Sequence, residues 1–310
     1  MIAPYFADVA DDPADARALW LMTSDGVRIR AAIWNAAGPR GTVFLLPGRS
    51  EYVEKYGRNA VDLAAAGYAV LSVDWRGQGL SDRALADRAV GHVADFAEYQ
   101  RDMDALILAA RAQDLPSPWY LLPHSMGGCI GLRSLMRGLP FQAAAFSAPM
   151  WGISMANYLR PITQILSSAA RRFGFQHRYA PSTNAQSYVL AVPFAGNVLT
   201  RDPAMWDYMA AQCRAHPDLA LGGPSLGWLK AALDECRTLA ALPSPAVPAL
   251  CALGSAEKVI DIRPVHARMA NWPQARLDMY QDAEHEVLME VPSTRAAFTA
   301  SAVKLFSAHP

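Results

Sequence analysis

The sequence predicts an α/β protein: a mostly parallel central sheet with helices on both faces and an inserted helical cap domain. Three observations lead there. Short apolar runs of buried-strand type (GTVFLLPG from Gly41, YAVLSVDW from Tyr68, WYLLPH from Trp119, AAAFSAP from Ala143) alternate with stretches of helical pattern. Strands alternating with helices build a parallel sheet covered on both sides. From about residue 150 to 245 the alternation stops and no strand-like run appears. It resumes with PALCALGS and ARLDMYQDA, so the helical stretch interrupts one sheet rather than ending it. The predicted division is residues 1–149 for the first part of the core, 150–245 for the cap and 246–310 for the second part.

Each element has a local reason. WLMTSDGVRIRAAIW alternates around Asp25-Gly26, a hairpin signal. The strand GTVFLLPG stops at Pro47-Gly48, and the helical pattern YGRNAVDLAAAG closes on Gly67 as its C-cap. YAVLSVDW runs into the loop RGQGLSDR, and a helix from Phe96 to Ala112 leads to WYLLPH. A helix follows Ser125 to about Arg137, before the strand AAAFSAP. Within the insertion, YLRPITQILSSAARRFG and DPAMWDYMAAQCRAH read as helices, and STRAAFTASAVKLFSAH closes the chain as another.

Composition narrows the function. The 310 residues suffice for one large α/β domain with an insertion, and 28 basic residues balance 28 acidic ones. No net field draws the chain to nucleic acid or to an anionic membrane. Cys129, Cys213, Cys236 and Cys251 form no C-x-x-C pair and are read as reduced, buried residues of a cytoplasmic protein. The N-terminal stretch has early acidic residues and does not read as a signal peptide. No apolar run approaches the roughly 20 residues of a membrane span.

The chemistry centres on PHSMGG, residues 123–128. Ser125 ends a strand and precedes a helix, at the carboxyl edge of the sheet where ligands gather in such folds. A turn that tight lifts its central hydroxyl into the open, and glycines on the helix side leave room for neighbouring backbone. The usual pattern is G-x-S-x-G, and Pro123 replaces its first glycine. Proline's fixed φ suits a strand end, at the cost of one backbone donor. Ser125 therefore remains a candidate nucleophile; the plainer reading is a helix N-cap.

A serine nucleophile needs a base, and the base an orienting acid. Of seven histidines, His285 alone follows a late strand, in DAEHEVLMEVP. Glu257 lies in the loop after PALCALGS, giving the chain order Ser, acid, His. Asp261 competes with Glu257; its other role is to cap the helix that begins near Arg263-Pro264. His124 reads as a packed neighbour of the serine. HEVLME lacks the second histidine of a zinc-protease helix, and RGQGLSD lacks the third glycine of a dinucleotide loop, so neither metal nor organic cofactor is expected.

Taken together, LLPGRSEYVEKYG, VLSVDWRGQGLSDR, HSMGG, FSAPMWGI, GSAEKVID and AEHEVLME resemble α/β-hydrolases of the monoacylglycerol lipase and bacterial lysophospholipase group. FAGNVLTRDPAMW and HPDLALGGPSLGWL resemble the bacterial lysophospholipase-like cap. The resemblance implies the α/β-hydrolase fold and a serine hydrolase acting on an ester with an acyl chain. It implies an oxyanion hole made by the backbone N–H groups of Arg49 and Met126, although the first loop reads P-G-R rather than H-G-x. It places Glu257 where the family usually has Asp in G-x-x-D. It also implies a cap that chooses the substrate, with Trp151, Phe194 and Trp206 among the aromatic candidates for acyl contact. Arg160, Arg171 and Arg172 could meet a phosphate head group, against the plainer reading of a solvated basic face. Transient membrane-surface contact is compatible with such a cap. The alternatives are a small-ester carboxylesterase and a non-catalytic ligand-binding protein of the same fold.

Overall fold

The computed structural model describes residues 1–155 and 159–310, without the side chains of residues 159–164. Tyr158 and the Arg160 side chain, one a cap aromatic and the other a head-group candidate, lie outside the described residues.

The strands are β1 (Arg17–Met22), β2 (Arg28–Trp34), β3 (Thr42–Leu46), β4 (Ala69–Asp74), β5 (Trp119–Pro123), β6 (Ala143–Ser147), β7 (Ala249–Gly254) and β8 (Ala275–Tyr280). They form one eight-stranded sheet in the order β1-β2-β4-β3-β5-β6-β7-β8. β1 and β2 are the predicted hairpin, and β2 meets β4 antiparallel. From β4 through β8 every pairing is parallel.

The inner strands, β2 to β7, are buried on both faces because successive side chains feed opposite cores, whereas the edge strands β1 and β8 are partly exposed. In β3, Phe44 and Leu46 join one hydrophobic cluster, and Val43 and Leu45 join the other. The first face is covered by α2 (Glu98–Ala112) and α3 (Met126–Met136), through Met103, Leu106, Ile130 and Leu135. The opposite face is covered by α1 (Gly57–Ala65) and α9 (Pro292–Ser307), through Leu63, Phe298 and Phe306. Each such large side chain contributes about 1.5–3 kcal/mol on burial. Gly67, at φ +87°, ends α1 as predicted: its N–H returns to Ala64 O, and an L side chain there would be strained.

Between β6 and β7 the described residues carry α4 (Leu159–Arg172), α5 (Tyr188–Ala191), α6 (Pro203–Ala215) and α7 (Leu226–Ala241), with a short 3-10 turn at Pro217–Leu219 and isolated bridges besides. α6 and α7 are anchored to the core. Met205, Tyr208 and Met209 of α6 enter the α1/α9 cluster, whereas Trp228, Ala232 and Leu239 of α7 enter the α2/α3 cluster. Arg133 on α3 pairs with Glu235 on α7 at 2.7 Å. α4 and α5 carry the exposed part, with Ile165, Tyr188 and Leu190 in contact with solvent. Arg171 and Arg172 are exposed in the last turn of α4, as a solvated basic face would be. No described helix is long and apolar enough to cross a membrane.

One fully buried ionic junction positions the loop after β3. Arg30 on β2 donates to Asp74 on β4 (2.8 Å) and, through both terminal nitrogens, to Glu54 (2.7 Å each). Asp74 in turn accepts from Val53 N (2.9 Å). A charge buried at 0% exposure is tolerated only when so matched.

Candidate active site

Ser125 sits between β5 and α3 at φ +49°, ψ −115°, a strained conformation for a non-glycine residue. Crowding explains the glycines after it. A Cβ on Gly127 would stand 2.3 Å from Leu46 O, and one on Gly128 2.5 Å from Pro149 Cβ. Pro123 pairs with Leu46 as the last residue of β5. Its ring is accommodated because position 131 on α3 is also glycine: a Cβ there would already be 3.3 Å from the proline. The ladder continues past the missing donor, with His124 N donating to Leu46 O (2.9 Å) and Ser125 N to Ser147 O (3.0 Å).

His285 and Glu257 come from the loops after β8 and β7. Glu257 Oε2 lies 2.7 Å from His285 Nδ1, and His285 Nε2 lies 2.9 Å from Ser125 Oγ. A carboxylate can only accept, so Nδ1 carries the proton and Nε2 receives the serine O–H. Glu257 Oε1 accepts the N–H groups of Val259 (2.6 Å) and Ile260 (3.1 Å). Burial pushes the Glu257 pKa up, but the facing His285 and these hydrogen bonds outweigh it and hold the carboxyl below its ordinary value.

Asp261, the competing acid, lies elsewhere. It caps α8 (Ile262–Met269), accepting from Arg263 N (3.1 Å), and pairs with the Arg263 guanidinium at 2.8 Å. His124 is the packed neighbour expected: its Nδ1 donates to Ser147 O (3.1 Å), and its ring centroid lies 4.9 Å from that of His285.

The loop bearing Arg49 is pinned from three sides. Trp75 Nε1 donates to Pro47 O (2.8 Å), and Gln78 Nε2 to Gly48 O (3.0 Å), while Ser50 N donates to Gln78 Oε1 (3.1 Å). Glu51 accepts from Gly48 N, from the Tyr56 hydroxyl (2.5 Å) and from Lys55 Nζ (2.7 Å). Lys55 reaches on to Glu286 (2.6 Å), the residue after His285. Among the described residues, neither Arg49 N nor Met126 N donates a backbone hydrogen bond, and Met126 opens α3, where N–H groups lack intrahelical partners.

Burial works against ionising Glu51, but Lys55 and His124 beside it outweigh that and hold its carboxyl at about 2. Glu286 is raised, by burial and by the Glu51 charge, although Lys55 opposes both. Glu51, His124 and Glu286 place potential metal ligands within 4.8 Å of one another. The Lys55 ammonium already bridges the two carboxylates, so this chain supplies its own cation there. Glu51, Lys55, Gln78 and Glu286 are the supporting residues that sequence reasoning missed. All sit inside the motifs quoted above, but their pairing depends on contacts up to 231 residues apart in sequence.

Ser125 and His285 open onto a cavity of about 340 Å³ whose apolar wall includes Tyr52, Val189, Leu199, Met209 and Val259. The proposed acyl contacts Trp151, Phe194 and Trp206 are corrected here: none lines it. Trp151 is drawn into the core, where its indole donates to Gly128 O (3.1 Å) and stacks edge-on against Phe146. Trp206 is buried against Tyr188, and Phe194 lies partly exposed beside Trp206. Aromatic size drew attention to these residues; Val189, Leu199 and Val259, which do line the wall beside Tyr52 and Tyr188, carried no such signal.

The serine aminopeptidase, S33 family (Hydrolase_4) matches residues 37–292. Lysophospholipase L2 of Escherichia coli (strain K12) is 33% identical over 298 residues, covering 92% of this chain and 86% of that protein. Monoglyceride lipase of Homo sapiens is 26% identical over 88% of this chain and 84% of that protein. Among solved structures, a soluble variant of monoglyceride lipase from Saccharomyces cerevisiae, in complex with a substrate analog, superposes with a TM-score of 0.75 at 17% identity, covering 97% of this chain and 98% of that one. The fold, with its late helical insertion, and these similarities agree: the chain belongs to the serine aminopeptidase S33 family, within the lysophospholipase and monoacylglycerol lipase group of α/β-hydrolases.

Proposed function

We propose that this protein is a serine hydrolase that cleaves carboxylic esters bearing a single acyl chain, as a lysophospholipase or monoacylglycerol lipase. The observation that carries the reading is the unbroken line from Glu257 through His285 to Ser125 at the edge of a largely apolar cavity. A cavity of about 340 Å³ lies at the small end of ligand pockets, which run roughly 300–1,000 Å³.

In the mechanism, His285 Nε2 takes the Ser125 proton as Oγ attacks the ester carbonyl. Glu257 holds the imidazole in the required tautomer and stabilises its charge. The oxyanion is received by the N–H groups of Arg49 and Met126, each worth about 3 kcal/mol of transition-state stabilisation. His285 returns the proton to the departing alcohol, then activates water to release the fatty acid from Ser125. Residues 150–245 act as the cap, with α5 and the Val198-Leu199 segment limiting access. Leu199 O accepts from Glu286 N (2.8 Å), so the cap borders the histidine loop directly. Four buried cysteines without disulfides fit a reducing, cytoplasmic setting.

The test is the hydrolysis rate of a long-chain lysophospholipid and a long-chain monoacylglycerol against a short-chain ester, with Ser125→Ala as the blank. Faster turnover of the long chains supports the reading. Turnover of the short ester alone would make the protein a small-ester carboxylesterase.

A further inference from the structure

Among the described residues, two basic residues besides His285 border the cavity, Arg49 and Lys55, and they are matched very differently. Lys55 lies between two carboxylates, at 2.7 Å from Glu51 and 2.6 Å from Glu286. Arg49 Nη1 donates to Gly222 O (2.9 Å), and its guanidinium carbon stands 5.7 Å from the centre of the Trp228 ring. Among the described residues Arg49 forms no ion pair, and Gly222 O is the one hydrogen-bond acceptor its side chain meets. Burial lowers its pKa to about 10, which leaves it charged at neutral pH. A cation withdrawn from water without a counter-charge is costly, and such groups cluster where an anionic ligand completes them.

We propose that the Arg49 guanidinium receives the phosphodiester anion of a lysophospholipid and so sets the preference for that ester over a neutral monoacylglycerol. This rests on the ester-hydrolase reading above. One residue then serves both ends of the head group: its N–H faces the oxyanion and its guanidinium the phosphate. The spans are of the same order, since the path from the arginine backbone N to Cζ and that from the ester carbonyl carbon to the phosphorus of a lysophospholipid each run through six bonds. Guanidinium also matches phosphate geometrically, with paired N–H donors. Glu51 and Glu286 line the same cavity but are turned onto Lys55, which keeps their charge off the phosphate. The Gly222 carbonyl and the Trp228 face hold the guanidinium in place without neutralising it.

The experiment compares wild type with Arg49→Leu and Arg49→Lys, all of which keep the backbone N–H. The readout is the ratio of kcat/KM for lysophosphatidylcholine to that for a monoacylglycerol with the same acyl chain, which cancels any shared change in oxyanion support. The leucine variant is expected to lower the ratio about 10- to 100-fold and the lysine variant by less. Inorganic phosphate is the second probe. Inhibition of monoacylglycerol turnover by phosphate, lost in Arg49→Leu, supports an anion subsite open to free phosphate as well. A lowered ratio without such inhibition confines the subsite to lipid-borne phosphate. A ratio unchanged within about twofold in the leucine variant, even if both rates fall, overturns the proposal and leaves Arg49 as a tie between its loop and Gly222. Wild type that cleaves neither ester removes the ester-hydrolase reading first, and this one with it.

Discussion

Glu257 Oε2 and His285 Nδ1 stand 2.7 Å apart, joining the loops that follow β7 and β8. The glutamate replaces the shorter aspartate usual in the family and reaches the same ring nitrogen, while its second oxygen is occupied by two backbone N–H groups. Removing the charge leaves one amide oxygen for both sets of donors and turns an NH2 toward whichever set it does not serve. Glu257→Gln is expected to lower kcat by about 10³- to 10⁴-fold. Asp261→Asn, which retains an N-cap, is expected to change kcat by less than about twofold. Steady-state kinetics on both variants checks the assignment, and the reverse order of damage would overturn it.

Ser125→Ala and His285→Ala should each remove about 10⁴-fold or more of the turnover while the fold persists. Fluorophosphonate labelling gives the complementary readout: wild type should be labelled, Ser125→Ala not at all. A folded wild type that resists labelling would favour a non-catalytic binding protein.

His124 supplies a pH prediction. Burial, aided by the nearby His285 and Lys55 and opposed by Glu51, lowers its pKa from 6.5 to about 3. Between those values the unfolded chain binds a proton that the folded chain refuses. The stability contributed by neutral His124 is complete above pH 6.5 and declines as the pH falls toward 3, by on the order of 1 kcal/mol per pH unit. Urea unfolding of wild type and His124→Gln at neutral pH and at about one unit below 6.5 should show the variant losing less. Equal losses would mean that His124 accepts the proton in the folded protein.

Arg30 carries a stability prediction unconnected to turnover. With its side chain fully buried between Glu54 and Asp74, Arg30→Met strands two carboxylates and should cost about 3–5 kcal/mol in denaturant unfolding. A change below about 1 kcal/mol would show that the carboxylates find other partners.

The cavity wall predicts selectivity by size. Val189 lies on α5, and Val189→Trp should fill part of the cavity. Long-chain esters should lose about 10-fold or more in kcat/KM, while a short-chain ester changes little. Equal effects on both would place the acyl chain elsewhere.

Much of this was legible in the chain. The sheet was readable because β3, β4 and β5 are short, mostly apolar runs between turn residues, and the inserted helices because that rhythm fails. Ser125 and His285 could be singled out as candidates because each follows a strand-like run where such folds place ligands. Glu257 and Asp261 could not be separated by residue pattern alone, since both sit in one loop and the choice depends on which carboxylate turns toward His285. The Lys55 bridge was hidden because a lysine near a glutamate in sequence usually forms a solvated pair, and nothing local marks this pair as buried. Trp151 and Trp206 misled because tryptophan fills core and pocket alike, and here the core claimed both.

The Lys55 bridge has a consequence for how the site is held. One ammonium fastens the Arg49 loop, through Glu51, to the residue following His285. The two parts of the site are thereby tied to each other by buried charge, while the histidine loop is also held to the cap segment through Glu286 N and Leu199 O.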